Sequence, residues 1–235
     1  MWERARDETG KVAAQLERSG IRAETVVKID EPRFVILREA AKWLADLIFI
    51  RAHNYTNLSR WLLGSVAGAV LRDAPCSVEI VRSTVASAEQ GAQKGMRILL
   101  GSDGSEFSLP AAQSVAARPW PVGTIVKLIS VIEPLVYLSE HLMERKIGDS
   151  PMREVSAQAE AVLSDAGVST TSEIVKGNPK EEIINQAKAW SADLTVVGSH
   201  GRRGLMRWLI GSVSEAVATH APCSVEVIRT PNAGG

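Results

Sequence analysis

Short apolar runs alternate with amphipathic stretches along the second half of the chain. Aliphatic and β-branched runs predict five strands, at Arg97–Gly101, Thr124–Val131, Thr170–Lys176, Leu194–Val197 and Ser224–Arg229. Apolar residues at helical spacing predict helices between them, at Ala111–Ala117, Pro151–Asp165, Pro179–Trp190 and from Gly211 onward. This alternation indicates an α/β fold of flavodoxin-like or Rossmann-like type, an open parallel sheet with helices on both faces.

The first half of the chain repeats the second at a fixed offset of 147 residues. Residues 61–82 and 208–229 are identical at 14 of 22 positions, and Trp43, Asp46 and Pro32 also recur at that offset. A repeat this long indicates a duplicated domain rather than a solenoid unit. We expect a first copy over residues 1–83, a linker over 84–95 and a second copy over 96–230. The first copy is incomplete, because nothing stands opposite residues 96–147.

Composition limits the possible functions. Of 235 residues, 45% are apolar and 23% charged, which is typical of a folded globular chain. Basic and acidic residues both number 27, so we expect no nucleic acid partner. The most apolar stretch, Trp43–Ile50, is interrupted by Asp46 and too short to cross a bilayer, and charged residues follow Met1. We therefore expect a cytoplasmic protein with no membrane partner, and its two cysteines predict buried apolar positions rather than a disulfide framework.

Two loops of the second copy have the composition of an anion site. A glycine-rich segment, residues 198–204, follows one predicted strand, and a helix begins at Gly211-Ser212. Glycines let backbone N–H groups approach an anion, and the first turn of a helix presents unpaired N–H groups. Arg202 adds positive charge, and Asp103 offers acceptors for ribose hydroxyls or an adenine amine. Taken alone, such a loop is equally well explained by the sharp turn between a strand and a helix.

The second copy resembles the universal stress protein family over nearly all of residues 96–230. Nucleotide-binding members of that family carry the motif G-x2-G-x9-G-[ST], and here Gly198, Gly201, Gly211 and Ser212 stand at that spacing. The opening RILLGSDGS is similar to the family's first strand and its Asp-bearing turn. The resemblance implies an adenine nucleotide as ligand: ATP first, AMP or cAMP as alternatives, with Mg²⁺ as a further candidate.

The resemblance also implies which residues hold the nucleotide. Phosphates would contact Gly201, Gly211 and Ser212, the ribose would lie near Asp103 and Gly198, and adenine would lie against the backbone at Val131. The full implied set is Ser102, Asp103, Val131, Val197, Gly198, His200, Gly201, Arg202, Gly211, Ser212, Val213 and Ser214. No residue is assigned a catalytic role, and no cluster of His, Cys and carboxylates at ligand spacing indicates a metal site.

The first copy departs from the family pattern. Arg51, Asn54 and Asn57 stand opposite the three glycines of residues 198–204, and only Gly64-Ser65 is retained. We expect this copy to be a scaffold that does not bind nucleotide. The family arrangement also implies that its missing strands leave a hole in its sheet, between Thr25–Ile29 and Leu47–Ile50.

Family members typically dimerise through their last strand, which implies an arrangement for the two copies. We expect the strands at Ser77–Arg82 and Ser224–Arg229 to pair antiparallel within one chain, forming an intramolecular pseudo-dimer; a homodimer of the whole chain is a further candidate. The favoured function is a nucleotide-dependent regulator or stress-survival factor. Two alternatives are an enzyme that hydrolyses ATP slowly, with His200 and Asp103 handling protons, and a nucleotide-free interaction module.

Overall fold

A computed structural model describes residues 2–52, 63–82, 94–105, 108–133, 150–199 and 210–230. Its helices are α1 (Trp2–Arg18), α2 (Pro32–Trp43), α3 (Ser65–Asp73), α4 (Leu109–Ala116), α5 (Ser150–Asp165), α6 (Pro179–Ala189) and α7 (Ser212–His220). Its strands are β1 (Leu47–Arg51), β2 (Ser77–Val81), β3 (Arg97–Ser102), β4 (Ile125–Ile132), β5 (Ser169–Lys176), β6 (Leu194–Gly198) and β7 (Ser224–Ile228). Within these ranges, no helix combines the length and the apolar character needed to span a bilayer.

The strands form one seven-stranded sheet in the order β1-β2-β7-β6-β3-β4-β5. The five strands of the second copy are all parallel, so the predicted α/β fold is confirmed. Within the second copy, the chain moves outward from β3 through β4 to β5, then returns to the other side of β3 for β6 and β7. The strand order therefore reverses between β3 and β6, and ligands of open α/β sheets bind at the carboxyl ends of strands at such a point.

Helices cover both faces of the second-copy sheet. On one face, α4 and α5 contribute Ala111, Ala112, Val115, Ala159 and Leu163 to a core with alternate residues of β3, β4 and β6. On the other face, α6 and α7 contribute Ile183, Ala187, Val217 and Ala218, and this core continues into the first copy through α3, β1 and β2. Because the core crosses from one copy to the other, the two halves are packed as one body.

Local sequence explains where α6 begins. Asn178 lies immediately before the helix, and its side-chain oxygen accepts a hydrogen bond of 3.0 Å from the Lys180 N–H. Pro179 follows in the first helical position, where its missing N–H costs nothing. Glu181 and Glu182 stand in the first turn, where negative charge favours the helix dipole.

The two copies join through antiparallel pairing of β2 with β7. Val78 pairs with Val227, Glu79 with Glu226, and Ile80 with Val225, so the predicted intramolecular pairing of the last strands is confirmed. The junction is reciprocal: the N–H of Arg82 donates to Ser224 Oγ and the N–H of Arg229 donates to Ser77 Oγ, each at 3.1 Å. Residues 82 and 77 correspond to residues 229 and 224 at the offset of 147, as a pseudo-twofold axis requires.

The guanidinium groups of the same two arginines also cross the junction. Each donates to two main-chain carbonyls in the last turn of the opposite copy's last helix, where orphan carbonyls favour a cation. The acceptors are Ala218 and Thr219 for Arg82, and Leu71 and Arg72 for Arg229. Burial lowers the pKa of both guanidinium groups from their ordinary value, but an arginine remains charged throughout the physiological range.

The expectation of a strand at Thr25–Ile29 is wrong. Residues 21–29 form no regular secondary structure, and the first copy contributes only β1 and β2 to the described sheet. The equivalent segment of the second copy, β5, pairs solely with β4, and no strand among the described residues of the first copy corresponds to β4. A strand without a neighbour leaves its backbone groups unpaired and gains nothing from extended pairing. In place of the expected hole, β1 forms one edge of the sheet that the described residues build.

Both cysteines are free and buried, as the sequence predicts. Cys76 is 8% exposed and Cys223 is 1% exposed. Burial raises the pKa of both thiols above the ordinary value. Because the thiolate is the reactive form, this shift favours a packing role over redox chemistry.

Candidate functional site

A serine-rich turn lies at the carboxyl end of β3. Ser105 donates to Asp103 Oδ1 from its backbone N–H, at 3.0 Å, and from its hydroxyl. Ser102 is buried, and its Oγ accepts from the Gly104 N–H at 3.1 Å and donates to Ser108 Oγ at 2.9 Å. Gly104 has φ of 69°, a left-handed conformation in which glycine avoids strain. These bonds fix the turn that holds the Asp103 carboxylate at the end of the strand.

The end of β6 is tied directly to the start of α7. The Ser199 carbonyl accepts from the Gly211 N–H at 2.7 Å, and the Ser199 N–H donates to the Ile228 carbonyl at 2.8 Å. Ser214, in the first turn of α7, donates from its hydroxyl to the Gly198 carbonyl at 2.6 Å. Together these bonds hold the first turn of α7 against the end of β6. The N-terminus of α7 therefore lies at the carboxyl ends of the parallel strands.

The first turn of α7 has no side-chain cap among the described residues. Gly211 is the N-cap, and its carbonyl accepts the first helical bond, from the Glu215 N–H at 2.9 Å. The N–H groups of Ser212, Val213 and Ser214 therefore precede the first intrahelical donor of the helix. Their partial positive charge and the helix dipole make this turn suited to an anion.

Val131 stands one residue beyond the last pair between β3 and β4, which is Ser102 with Ser130. It still pairs with Val175 of β5 on its other side. Because β3 has ended at that level, the backbone of Val131 has no β3 residue beside it on that side. Val197 lies one step inside the neighbouring strand, paired with Gly101 of β3 and 4% exposed.

The topology brings most of the implied site residues to one edge. Nine of them are described, at the carboxyl ends of β3, β4 and β6 and in the first turn of α7: Ser102, Asp103, Val131, Val197, Gly198, Gly211, Ser212, Val213 and Ser214. His200, Gly201 and Arg202 lie outside the described residues. Sequence reasoning missed the roles of Ser199, Ser105 and Ser108, whose bonds hold the two loops; their position beside motif residues was the available signal. Among the described residues, no group of three or more His, Cys, Asp and Glu could hold a metal ion.

Comparison with known proteins identifies the family. The model of the universal stress protein family matches residues 2–82 and 96–229, which is most of the chain. The chain belongs to the universal stress protein family. A universal stress protein from Methanocaldococcus jannaschii is 33% identical over 146 residues, covering 57% of this chain and 82% of the relative. One from Mycobacterium tuberculosis is 28% identical over 221 residues, covering 89% of this chain and 69% of the relative.

A solved structure shows the same fold over almost the whole chain. The crystal structure of a universal stress protein from Archaeoglobus fulgidus superposes with a TM-score of 0.67 at 22% identity. It covers 99% of this chain and 78% of the other. At this identity the likeness establishes the shared fold and says nothing about the ligand.

The first copy of this universal stress protein differs at the equivalent helix start. Gly64, the counterpart of Gly211, has φ of 75°, whereas Gly211 has φ of −66°. Ala67 replaces Ser214, so no hydroxyl ties α3 to the end of β1, and Arg51 stands at the position of Gly198. No hydrogen bond between Gly64 and Ala52 matches the one between Gly211 and Ser199. The anchoring of the helix start that the second copy shows is thus absent from the described part of the first.

A second cluster of charge, not anticipated from the sequence, lies at the junction of the copies. Glu226 is fully buried, and both its carboxylate oxygens accept from the guanidinium of Arg118, one of them at 2.6 Å. Glu79 pairs with Glu226 across the strands, and no described residue donates a hydrogen bond to its carboxylate. Burial, with the nearby Glu226 carboxylate, raises the pKa of Glu79 to about 7 despite the opposing charge of Arg118.

Proposed function

We propose that the second copy binds one adenine nucleotide where β3 and β6 end, and that this binding regulates a stress-survival function. ATP is the first candidate, with AMP and cAMP as alternatives. The first copy serves as a scaffold. The observation that carries the proposal is the uncapped first turn of α7, anchored to the end of β6 by the Ser214 and Ser199 bonds. This turn begins within the nucleotide motif of the family.

Phosphate oxygens would bind at the start of α7. Because the Gly211 N–H already donates to Ser199, the available donors are the N–H groups of Ser212, Val213 and Ser214. An anion there gains from the helix dipole and from N–H groups that are already oriented. Gly201 and Arg202 would complete the phosphate contacts, and His200 would lie beside the nucleotide. Mg²⁺, when it accompanies ATP, would enter as the complex with the phosphates.

The ribose and the base would occupy the ends of the neighbouring strands. Asp103 would accept from ribose hydroxyls, with its carboxylate oriented by the Ser105 bonds. The backbone of Val131, beyond the last β3 pair, would hydrogen-bond the adenine edge. Ser102 would act by shaping the turn, since its hydroxyl bonds within it, and Val197 would support the floor of the crevice.

Identification of a co-purified nucleotide tests the proposal. The purified chain is denatured, and the supernatant is analysed by liquid chromatography and mass spectrometry. Chain stripped of nucleotide is then titrated separately with ATP, AMP, cAMP and GTP. We expect an adenine nucleotide in the supernatant or saturable binding of at least one adenine ligand, with GTP as the control for base selectivity. The proposal would be contradicted if no nucleotide is released and no adenine ligand gives a heat of binding.

A further inference from the structure

Helix α7 connects the proposed nucleotide site to the junction of the two copies. Its first turn is held at the end of β6 by the bond from the Ser214 hydroxyl to the Gly198 carbonyl. Near its other end, Val217 and Ala218 are fully buried in the core that both copies share. The nine residues of α7 rise about 13 Å, so one short, packed helix links the two places.

The last turn of α7 is bound by an arginine of the first copy. The carbonyl of Val217 accepts the bond that closes the helix, from the N–H of the C-cap residue Ala221 at 2.9 Å. The carbonyls of Ala218 and Thr219 come after it, and the helix supplies no N–H for them. Both accept from the guanidinium of Arg82, that of Thr219 at 3.1 Å. A side chain of the first copy thus completes the C-terminal cap of the helix that begins at the nucleotide site.

The first copy also contacts α7 near its start. Glu215 is the acidic residue of the first turn, and its carboxylate accepts from the guanidinium of Arg72 in α3 at 3.3 Å. A carboxylate in this turn competes with a bound phosphate for the positive end of the helix, and the Arg72 charge offsets it. Both side chains are about half exposed, so this ion pair contributes little by itself. The better-placed contact is the one at the C-terminus.

A cation at the C-terminus of α7 should favour an anion at its N-terminus. The two charges interact with opposite ends of the same helix dipole, and they also attract each other. The Arg82 bonds fix the helix at its far end, so the N–H groups of the first turn are held in place before a ligand arrives. Binding to groups that are already ordered loses less conformational entropy.

We propose that Arg82 is a positioning residue for nucleotide binding in the second copy, which rests on the proposed binding of phosphate at the start of α7. The first copy then sets the affinity of the site, although it supplies no contact to the ligand. Because coupling between two sites is reciprocal, a bound nucleotide must in turn strengthen the contact between Arg82 and α7. The junction of the copies is thereby the part of the molecule that responds to nucleotide.

The pseudo-twofold symmetry of the junction provides a matched control. Arg229, the counterpart of Arg82, donates to the carbonyls of Leu71 and Arg72 in the last turn of α3, at 2.9 and 2.7 Å. The contact is of the same kind and lies at the same junction, but α3 begins at Gly64, outside the proposed site. Loss of the Arg229 guanidinium should therefore weaken the junction without weakening the binding of nucleotide.

Calorimetric titration of variants tests the proposal. Nucleotide-free wild-type chain is titrated with ATP, AMP and cAMP, and the ligand that binds most tightly is used with the variants. Arg82→Met, which removes the charge and keeps an apolar stem, should weaken binding about fivefold or more, the low end of coupling between linked sites. Arg82→Lys should stay within about twofold of the wild type, because an ammonium keeps the charge and can donate to both carbonyls. Arg229→Met should bind as the wild type does, and circular dichroism checks that each variant is folded.

Hydrogen exchange gives the reciprocal readout on the wild-type chain. Saturation with the same nucleotide should slow amide exchange in residues 77–82 of the first copy, which include the Arg82 N–H that donates to Ser224 Oγ. An arginine with a merely structural role would leave this exchange unchanged. If Arg82→Met does not fold, the exchange measurement decides.

Three results would overturn the inference and leave the proposed function intact. They are equal affinities of the wild-type and Arg82→Met chains, equal losses in Arg82→Met and Arg229→Met, and nucleotide protection confined to the second copy. Equal losses would show a general effect of a weakened junction rather than an effect through α7. If the wild-type chain binds none of the three nucleotides, the proposed function fails and the role of Arg82 fails with it.

Discussion

Glu79 and Glu226 face each other across the antiparallel pair that joins the two copies, yet of the two only Glu226 binds a described arginine. The asymmetry lies in one side chain: Arg118 follows α4, and its guanidinium donates to both carboxylate oxygens of Glu226. Two equivalent carboxylates therefore have different surroundings and should respond differently to mutation.

Removing Arg118 should destabilise the chain strongly. Arg118→Gln leaves the fully buried Glu226 without its ion pair, and breaking a buried pair from one side costs about 3–5 kcal/mol. The double variant Arg118→Gln, Glu226→Gln should recover most of the loss, because no buried charge remains. Urea unfolding of Arg118→Gln, of Glu226→Gln and of the double variant measures this coupling. Additive losses would show that the pair is not coupled.

The raised pKa of Glu79 predicts a loss of stability as pH rises. Because the pKa is about 7 in the folded chain, against an ordinary value of 4.5, the folded state binds the proton more tightly than the unfolded chain does. The stabilisation is complete below the ordinary pKa of 4.5 and disappears as pH rises through about 7. The full effect corresponds to about 1–3 kcal/mol after allowance for solvent.

Glu79→Gln isolates this effect, since glutamine cannot titrate. We expect the variant and the wild type to unfold at similar urea concentrations at about pH 5, and the variant to be the more stable at about pH 8. Glu39→Gln is the control, because the pKa of the partly buried Glu39 carboxyl is lowered by its hydrogen bond with Lys28, so its removal should not raise stability at high pH. A Glu79→Gln chain with the same pH dependence as the wild type would refute the assignment.

The reciprocal arginines should contribute unequally to the junction. Arg82 donates to the carbonyls of Ala218, Thr219 and Cys223, whereas Arg229 donates to those of Leu71 and Arg72. Each alanine substitution should cost about 1.5–3 kcal/mol, the scale of hydrogen bonds to a charged group, with Arg82→Ala the larger loss. Thermal unfolding of both variants beside Arg22→Ala, outside the junction, measures the difference. A larger loss for Arg229→Ala would contradict the bond count.

Valine at Gly211 should weaken nucleotide binding without strain in the backbone. The φ of −66° at Gly211 suits valine, so the effect arises from side-chain bulk at the start of α7, where phosphate would bind. We expect a loss of ~100-fold in affinity, equivalent to one or two charge-assisted hydrogen bonds. Isothermal titration with the adenine nucleotide identified above measures it.

The matched variant in the first copy is Gly64→Ala. Gly64 has φ of 75°, so alanine there should lower stability by about 1 kcal/mol while leaving nucleotide affinity unchanged. The two glycines thus separate a binding effect from a folding effect. Equal losses of affinity in both variants would mean that the nucleotide site has been assigned to the wrong copy or to both.

The repeat made most of the fold predictable. β6, α7 and β7 begin and end 147 residues after β1, α3 and β2, because the same apolar periodicity is present in both copies. The expectation of a strand at Thr25–Ile29 was wrong because periodicity describes a single segment, whereas a strand also needs a neighbouring strand to pair with. The repeat alone did not show this need, which follows from the pairing of the equivalent strand, β5, with β4 alone.

The site was predictable to a smaller degree. Motif spacing and the place of Asp103 after a strand indicated which loops meet at the sheet edge, since the carboxyl ends of parallel strands share one edge. The different conformations of Gly64 and Gly211 were not predictable, because both precede the same Ser-Val sequence. The bond between Arg118 and Glu226 joins residues 108 positions apart and has no signature in either local sequence.

The number of nucleotides bound per chain distinguishes one functional copy from two. Nucleotide-free chain is titrated with the identified adenine nucleotide by isothermal calorimetry, with the active fraction checked by native mass spectrometry. We expect one nucleotide per chain, lost in Gly211→Val and retained in Gly64→Ala. Two equivalent sites per chain, or a single site that survives Gly211→Val, would contradict it.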